Sequence, residues 1–411
     1  MLTWGANSHG QLGTGNEEDV YEPCIINISD PVTLIAGGGG HSLIAKENIV
    51  ISCGSNSADQ IGRSDDCYLF KPIPFSFGLP VNLVACGWDF SIAVLNDGSV
   101  FAWGSNAYGQ LGKKSIKSSI APVRIDIEPV RAISAGLRHV ICITISGKPM
   151  GWGSNRRKQL SIEKTLETEC HCSSTEIFYH PILLNSALGN THDFTDCAAG
   201  AYHSIVKTKR NNLALWGDTR FFQLKSRLQN YSSNTKRESA SPIWYDSQVF
   251  GGNEIKQLVC GWSHVLVRTS VGEVYSWGRS DLGQLGRSVD IQNISGYSTG
   301  EKFSNFDGQP ARIVFSSETG HNVVIKSVAC GSEHSLAIDS NGQLWVWGWN
   351  EHGMCGIGKE SSYVEKPTNP EEGITFISQP YLLKLKCFSQ NYAAKHIGCG
   401  YGHSMAYVEF T

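Results

Sequence analysis

Three groups of side chains in this 411-residue sequence have the types to do chemistry. The segment WGWNEHGMCGIG, residues 347–358, sets Glu351, His352, Met354 and Cys355 between glycines, and such residues elsewhere bind metals or move protons. Six histidines, His41, His139, His203, His264, His334 and His403, each stand three residues after a glycine. The run CHC at residues 170–172 is a third cluster. Spacing argues against each of them as a reactive site. The six histidines come one per repeat, so they spread around whatever the repeats build, and Phe90 fills the same slot in a further copy. Their expected role is structural, an imidazole bonded to a backbone carbonyl or amide between strands. The CHC run lacks a second Cys or His pair at zinc spacing. The sequence contains no G-x-x-x-x-G-K-[ST] phosphate loop, G-x-S-x-G elbow or H-E-x-x-H motif. No catalytic group, metal or cofactor is therefore expected, which leaves binding as the function to place.

What positions these residues is a repeat. WGANSHGQLG at Trp4 returns as CGSNSADQIG at Cys53, WGSNAYGQLG at Trp103, WGSNRRKQLS at Trp152, WGDTRFFQLK at Trp216, WGRSDLGQLG at Trp277 and WGWNEHGMCG at Trp347. A second element, G-x-x-H-[SV] in form, ends at Ser42, Ser91, Val140, Ser204, Val265, Ser335 and Ser404. Between the two lie segments such as SIAVLNDGSVFAWG, in which β-branched or aromatic residues alternate on either side of an Asp-Gly or Asn-Gly turn, the pattern of a β-hairpin. Units of about 50 residues and about four strands are the arithmetic of a propeller blade. The fold expected is all-β, one seven-bladed β-propeller over residues 1–411. Because the chain begins and ends with half a unit, the N-terminal strand is predicted to pair with the C-terminal one. The fourth and fifth W-G copies are the least regular.

Composition agrees with this and narrows the partners. Hydrophobic residues make up 41%, charged residues 17%, and there are 44 glycines and 11 tryptophans, as in a turn-rich packed β protein. The 34 Lys and Arg against 37 Asp and Glu leave a net charge of −3, without the basic footprint of a nucleic-acid binder. No apolar stretch approaches the ~20 residues that cross a bilayer, so no membrane insertion is expected. Thirteen cysteines, an odd number, and no apolar leader at Met1 read as free thiols in the cytoplasm, with the nucleus as a second location.

The G-x-x-H-[SV] element, the hairpin and the W-G-x-N-x-x-G-Q-L-G element together resemble the repeats of the regulator of chromosome condensation family, and they cover essentially the whole chain. Phrases such as GGGGHS, ACGWDFS and CGSEHSLAI are similar to a branch of that family associated with small GTPases, secretion and the exocyst. The resemblance implies a guanine nucleotide exchange factor or regulator of a small GTPase, with an exocyst subunit as a further partner. The alternative it implies is a non-catalytic scaffold, for example one that partners a zinc protein of diphthamide synthesis and tRNA modification. One departure counts against Ran as the GTPase. The family's founder inserts a β-wedge between the W-G and L-G of one repeat, whereas here Trp to the Leu slot spans eight residues in six copies and Cys53 to Ile61 spans the same in the other.

Partner contacts are expected at the two positions between Gly and His of each element, which the repeat constrains least. By resemblance to the founder's exchange face these give Asp89, Arg138, Tyr202 and Glu333, with Trp88 and Trp262 as aromatic anchors. In the segment 347–358, Cys355 takes the slot of Leu12, Leu111 and Leu285 and reads as buried. His352 takes the variable slot of His9, Ala58 and Tyr108. Trp349 and Glu351 remain as an exposed partner contact. Insertions near 161–195, 225–254, 287–323 and 357–394, all after the Q-L-G position, are expected as polar loops on one face, either unordered or partner-binding.

Overall fold

A computed structural model describes all residues except 29–30, 66, 162–175, 185–187, 189–192, 223–237, 290–305, 317–321, 359–374, 386–391 and 411. Among the described residues, seven four-stranded antiparallel sheets form the blades of a ring. Blade 1 runs from its innermost strand Leu34–Gly37 through His41–Lys46 and Ile49–Gly54 to Lys71–Pro72. Blades 2 to 6 repeat the plan from the innermost strands Val81–Cys86, Val130–Ala135, Phe194–Ala199, Ile255–Cys260 and Ile325–Cys330. Blade 7 takes Tyr392–Cys399 and His403–Phe410 from the C-terminal end and Leu2–Gly5 and Val20–Ile25 from the N-terminal end. The register Leu2 opposite Ala406 and Gly5 opposite His403 closes the ring as the half-repeats predicted. Innermost strands touch their neighbours all the way round.

The repeat residues are what joins one blade to the next. A Cβ on Gly331 would fall 2.0 Å from His334 Cε1, so the imidazole fixes glycine three residues before it. The ring nitrogen reaches the serine of the following blade: His41 Nε2 is 2.9 Å from Ser91 Oγ, His139 2.9 Å from Ser204, His264 3.0 Å from Ser335, His334 3.0 Å from Ser404 and His403 2.7 Å from Ser42. The partner is thus a hydroxyl, not the backbone group expected. Four of these hydroxyls also donate to a carbonyl of the preceding blade, Ser204 to Gln159 at 2.7 Å and Ser42 to Gln11 at 2.7 Å among them. The histidine must then be the donor, which sets its Nε2–H tautomer. Two junctions differ. Phe90 and Val140 share an apolar cluster between blades 2 and 3, and between blades 4 and 5, where the serine slot holds Val265, His203 Nε2 has no hydrogen-bond partner.

Tryptophan makes the second link. Trp152 Nε1 donates to the Gln110 carbonyl at 2.7 Å, Trp216 to Gln159 at 2.9 Å, Trp347 to Gln284 at 3.1 Å and Trp4 to Met354 at 2.8 Å, each across a blade boundary. These indoles are fully buried, and removing ~200 Å² of each from water is worth roughly 5 kcal/mol before ordering entropy is subtracted. The Asn and Gln of the same element pin its turn, with Leu111 N–H donating to Asn106 Oδ1 at 2.9 Å and Tyr108 N–H to Gln110 Oε1 at 2.7 Å. The core therefore lies between blades, one apolar cluster joining blades 2 and 3, another blades 6 and 7.

The expected insertions are not loops throughout. The outermost strands Ile177–Leu183, Glu238–Tyr245, Phe306–Arg312 and Phe376–Leu382 fall inside them. The remainder of those ranges, with the CHC run, lies largely outside the described residues. Each of the seven outermost strands carries one proline: Pro23, Pro72, Pro122, Pro181, Pro242, Pro310 and Pro380. A proline there removes a donor from the free edge and discourages edge-to-edge pairing.

Candidate functional site

The two variable positions of each G-x-x-H element sit on one face of the ring, in two concentric circles. The first positions form the inner circle, tied by backbone bonds such as Trp88 N–H to the Leu137 carbonyl at 3.2 Å, Trp262 to Ser332 at 2.8 Å and Ser332 to Tyr401 at 3.2 Å. The second positions lie outside them. Each accepts at its carbonyl from the residue after W-G: Ser105 to Asp89, Ser154 to Arg138, Asp218 to Tyr202 and Trp349 to Glu333, all at 2.8–2.9 Å. The W-G-x residue therefore belongs to the same surface.

Trp88, Trp262 and Tyr401, from blades 2, 5 and 7, converge over the axis. Ring centroids are 6.3 Å apart for Trp88 and Trp262, 5.5 Å for Trp88 and Tyr401 and 5.2 Å for Trp262 and Tyr401. Trp262 and Tyr401 line the end of an axial cavity of about 440 Å³ walled by the innermost strands, and Trp88 packs against both. Trp88 is 42% exposed, so the cluster presents an aromatic surface to solvent. Burial pushes the Tyr401 hydroxyl well above its ordinary pKa, so it stays protonated. Tyr401 is the residue the sequence reading passed over. It holds the same slot as Trp88 and Trp262, and that coincidence of aromatics was the available signal.

Beside the aromatics lies a cationic sector. The Arg138 guanidinium stacks 4.2 Å from the Tyr108 ring centroid and donates to its hydroxyl at 2.8 Å. Arg156 lies 5.5 Å from the same ring centroid, and Arg157 6.0 Å from that of Tyr202, itself 36% exposed. Asp89 accepts from Gln110 Nε2 at 3.2 Å, and burial raises its carboxyl pKa against the lowering by Ser105 and Arg138. The structure thus gathers Trp88, Trp262, Asp89, Arg138 and Tyr202 on one surface.

Glu333 stands apart from these by burial. It is 3% exposed. Its carboxylate accepts from Ser263 Oγ at 2.6 Å, Gln284 Nε2 at 2.8 Å and Arg279 Nη1 at 3.3 Å. Burial raises its pKa, and Ser263, Arg279 and Gln284 oppose the rise. Glu333 acts as the inner support of Arg279, which also pairs with Asp281 at 2.6 Å. A cavity of about 180 Å³ opens there between blades 4 and 5, walled by Phe221, Phe222, Trp262 and Tyr202. Trp349 is half-buried, packed against His352 at 6.2 Å, and Glu351 is exposed. His352 Nδ1 lies 2.9 Å from Asp19 Oδ2, so this variable slot links blades 6 and 7. Cys355 is fully buried, as expected, and burial raises its thiol pKa. Among the described residues no three His, Cys, Asp or Glu side chains are grouped to hold a metal.

A seven-bladed ring with its least uniform loop positions gathered on one face defines a β-propeller. The model of the RCC1-like domain matches residues 1–406, and the chain belongs to that family. It is 32% identical to the secretion-regulating guanine nucleotide exchange factor of Bos taurus, covering 99% of this chain and 82% of that protein. The Mus musculus counterpart is 31% identical over 99% and 83% of the two chains. The crystal structure of Prp20p from Saccharomyces cerevisiae, a protein characterised for its binding to Gsp1p and histones, superposes with a TM-score of 0.79 at 22% identity, covering 100% of this chain and 91% of that one. That likeness is one of fold.

Proposed function

We propose that this chain regulates a small GTPase by binding it at the aromatic mouth and promoting nucleotide exchange. The observation that carries the reading is the similarity to the secretion-regulating exchange factors, which runs through nearly the whole of this chain and over four-fifths of theirs. Exchange of this kind needs no reactive group. A protein that binds the nucleotide-free GTPase more tightly than the loaded one lowers nucleotide affinity by the same factor, through reciprocal coupling. The absence of catalytic motifs is compatible with that.

A GTPase other than Ran is favoured, because no W-G-to-L-G turn has the length to carry a wedge. The finer reading, a GTPase of regulated secretion with an exocyst subunit as further partner, is supported by the relatives' name for its secretory part and by family resemblance for the exocyst, and a cytoplasmic and also nuclear location by the odd number of cysteines read as free thiols. The same short turns favour the second reading, a scaffold that binds without exchange. Mixing the protein with a panel of small GTPases loaded with fluorescent nucleotide separates the two. Release accelerated by the wild type and lost in Trp88→Ala or Asp89→Ala supports exchange. An inert panel beside stoichiometric capture of one partner supports the scaffold.

A further inference from the structure

The charge on the mouth face is divided by sector. Blades 2 and 3 present Lys114, Lys117, Arg138, Arg156, Arg157 and Lys158 along their mouth-side turns, all exposed or half-exposed. Among the described residues, Glu176 pairs with Arg156 at 3.3 Å, and Asp89 is half-buried against Gln110. Blades 6 and 7 present Glu351, Glu17, Glu18 and Asp19, and blade 1 presents Asp59 at its seam with blade 2, where the carboxylate accepts from Ser118 Oγ at 2.8 Å. A chain with a net charge of −3 thus keeps a cationic crescent with aromatic rings between its cations, Arg138 and Arg156 over Tyr108 and Arg157 over Tyr202.

The blade 3 turn also carries a backbone cost. Lys158 and Ser161 stand where most other copies have glycine, and both hold left-handed φ angles, 62° and 54°. A side chain in that region costs about 1 kcal/mol relative to glycine, so the copy that departs from the repeat keeps the turn at a penalty while supplying three cations in a row, Arg156 to Lys158. Strain retained at a surface turn is the kind of feature that accompanies function.

Resting on the reading of this face as the partner surface, we infer that the crescent of blades 2 and 3 receives an acidic segment of the protein partner, whose carboxylates meet the guanidinium groups while its aromatic or apolar residues lie on Tyr108, Tyr202 and Trp88. A nucleic acid fits less well, because an extended polyanion crossing the mouth runs onto the acidic sector.

The test uses the full chain and a fluorescein-labelled decaglutamate peptide, with binding read by anisotropy at about 50 mM and about 300 mM salt. Wild type is expected to bind at low salt and to release the peptide at high salt. Arg156→Glu with Arg157→Glu is expected to weaken binding about tenfold or more, while Glu17→Lys with Glu18→Lys does not weaken it. No binding by the wild type, or binding untouched by the arginine reversals, overturns the inference, as does tighter binding of a labelled decathymidylate. The GTPase panel run beside it separates the two proposals. A GTPase lost in Trp88→Ala but retained by the double arginine variant sinks the crescent and leaves the exchange reading; peptide binding sensitive to the reversals beside an inert panel does the opposite.

Discussion

The junction between blades 3 and 4 offers a thermodynamic cycle on the shared hydroxyl. Ser204 Oγ receives His139 Nε2–H at 2.9 Å and donates to the Gln159 carbonyl at 2.7 Å, and that carbonyl holds a second donor, Trp216 Nε1, at 2.9 Å. Ser204→Val leaves a fully buried imidazole N–H without an acceptor while the carbonyl keeps its indole, at a cost of about 1–3 kcal/mol. His139→Phe removes the ring donor but leaves Ser204 bonded to Gln159, at a cost of about 1 kcal/mol. The double variant recreates the Phe90 and Val140 pair that already packs between blades 2 and 3. It is therefore expected to cost less than the two single changes together, with a coupling of about 1–2 kcal/mol. Urea unfolding followed by tryptophan fluorescence, comparing midpoints at unchanged slope, measures all four corners. Single costs that add to within about 0.5 kcal/mol would refute the claim that this hydroxyl couples the blades.

Other expectations follow from the same contacts. Val265→Thr places a hydroxyl beside the unpaired His203 Nε2 and is expected to raise the thermal midpoint, by about 1 kcal/mol of stability, whereas Val140→Thr opposite Phe90 brings no such gain; an unchanged or lowered midpoint for Val265→Thr counts against the proposed pairing. Gly331→Ala sets a methyl 2.0 Å from the His334 ring and should lose about 3 kcal/mol or more, against about 1 kcal/mol for Gly78→Ala, where the backbone is left-handed but nothing lies within 4 Å; equal losses in calorimetry undo the steric argument. Burial holds His41, His139, His264 and His403 down to about 3, and His203 and His334 to about 4. The unfolded chain takes up those protons from about pH 6.5 downward while the folded chain refuses them, so stability is full above that pH, falls toward pH 4 and levels off below about 3. Each histidine is worth roughly 2 kcal/mol at pH 5, partly offset by Glu333, Asp89 and Asp196, whose raised carboxyls are protonated as the pH falls. Denaturant midpoints that stay level from pH 7 to pH 5 would contradict this.

The ring was legible in the sequence because each blade repeats the residues that join it to the next. Periodicity alone located both elements, and the half-repeats at the ends gave the closure through Leu2–Gly5. The outermost strands were not legible, because segments such as SSIAPVR and FDGQPAR are half-exposed and do not alternate; the proline that recurs in each was the overlooked marker. The mouth was legible as positions, since variation between Gly and His is visible in one chain. Its depth was not. Glu333 reads like Asp89 in sequence, yet Arg279 and Gln284 of the neighbouring blade enclose it, and no local pattern reports a neighbour about fifty residues away. The histidine partner was legible in part, for histidine precedes a copy ending in serine five times and Phe90 one ending in Val140, while His203 breaks the pattern by preceding Val265.

Those two valines divide the circle unequally. Blades 3 and 4 share a latch with each other but not with the blades on either side, while the other five are joined to one another without a break. At both seams apolar packing takes the place of the hydroxyl, around Phe90 and Val140 between blades 2 and 3 and around Leu215, Phe222 and Trp277 between blades 4 and 5, and the two seams bound a short arc that carries the cations of blade 3. The ring thus has two kinds of joint, five fixed in direction by a hydrogen bond and two held by non-directional packing.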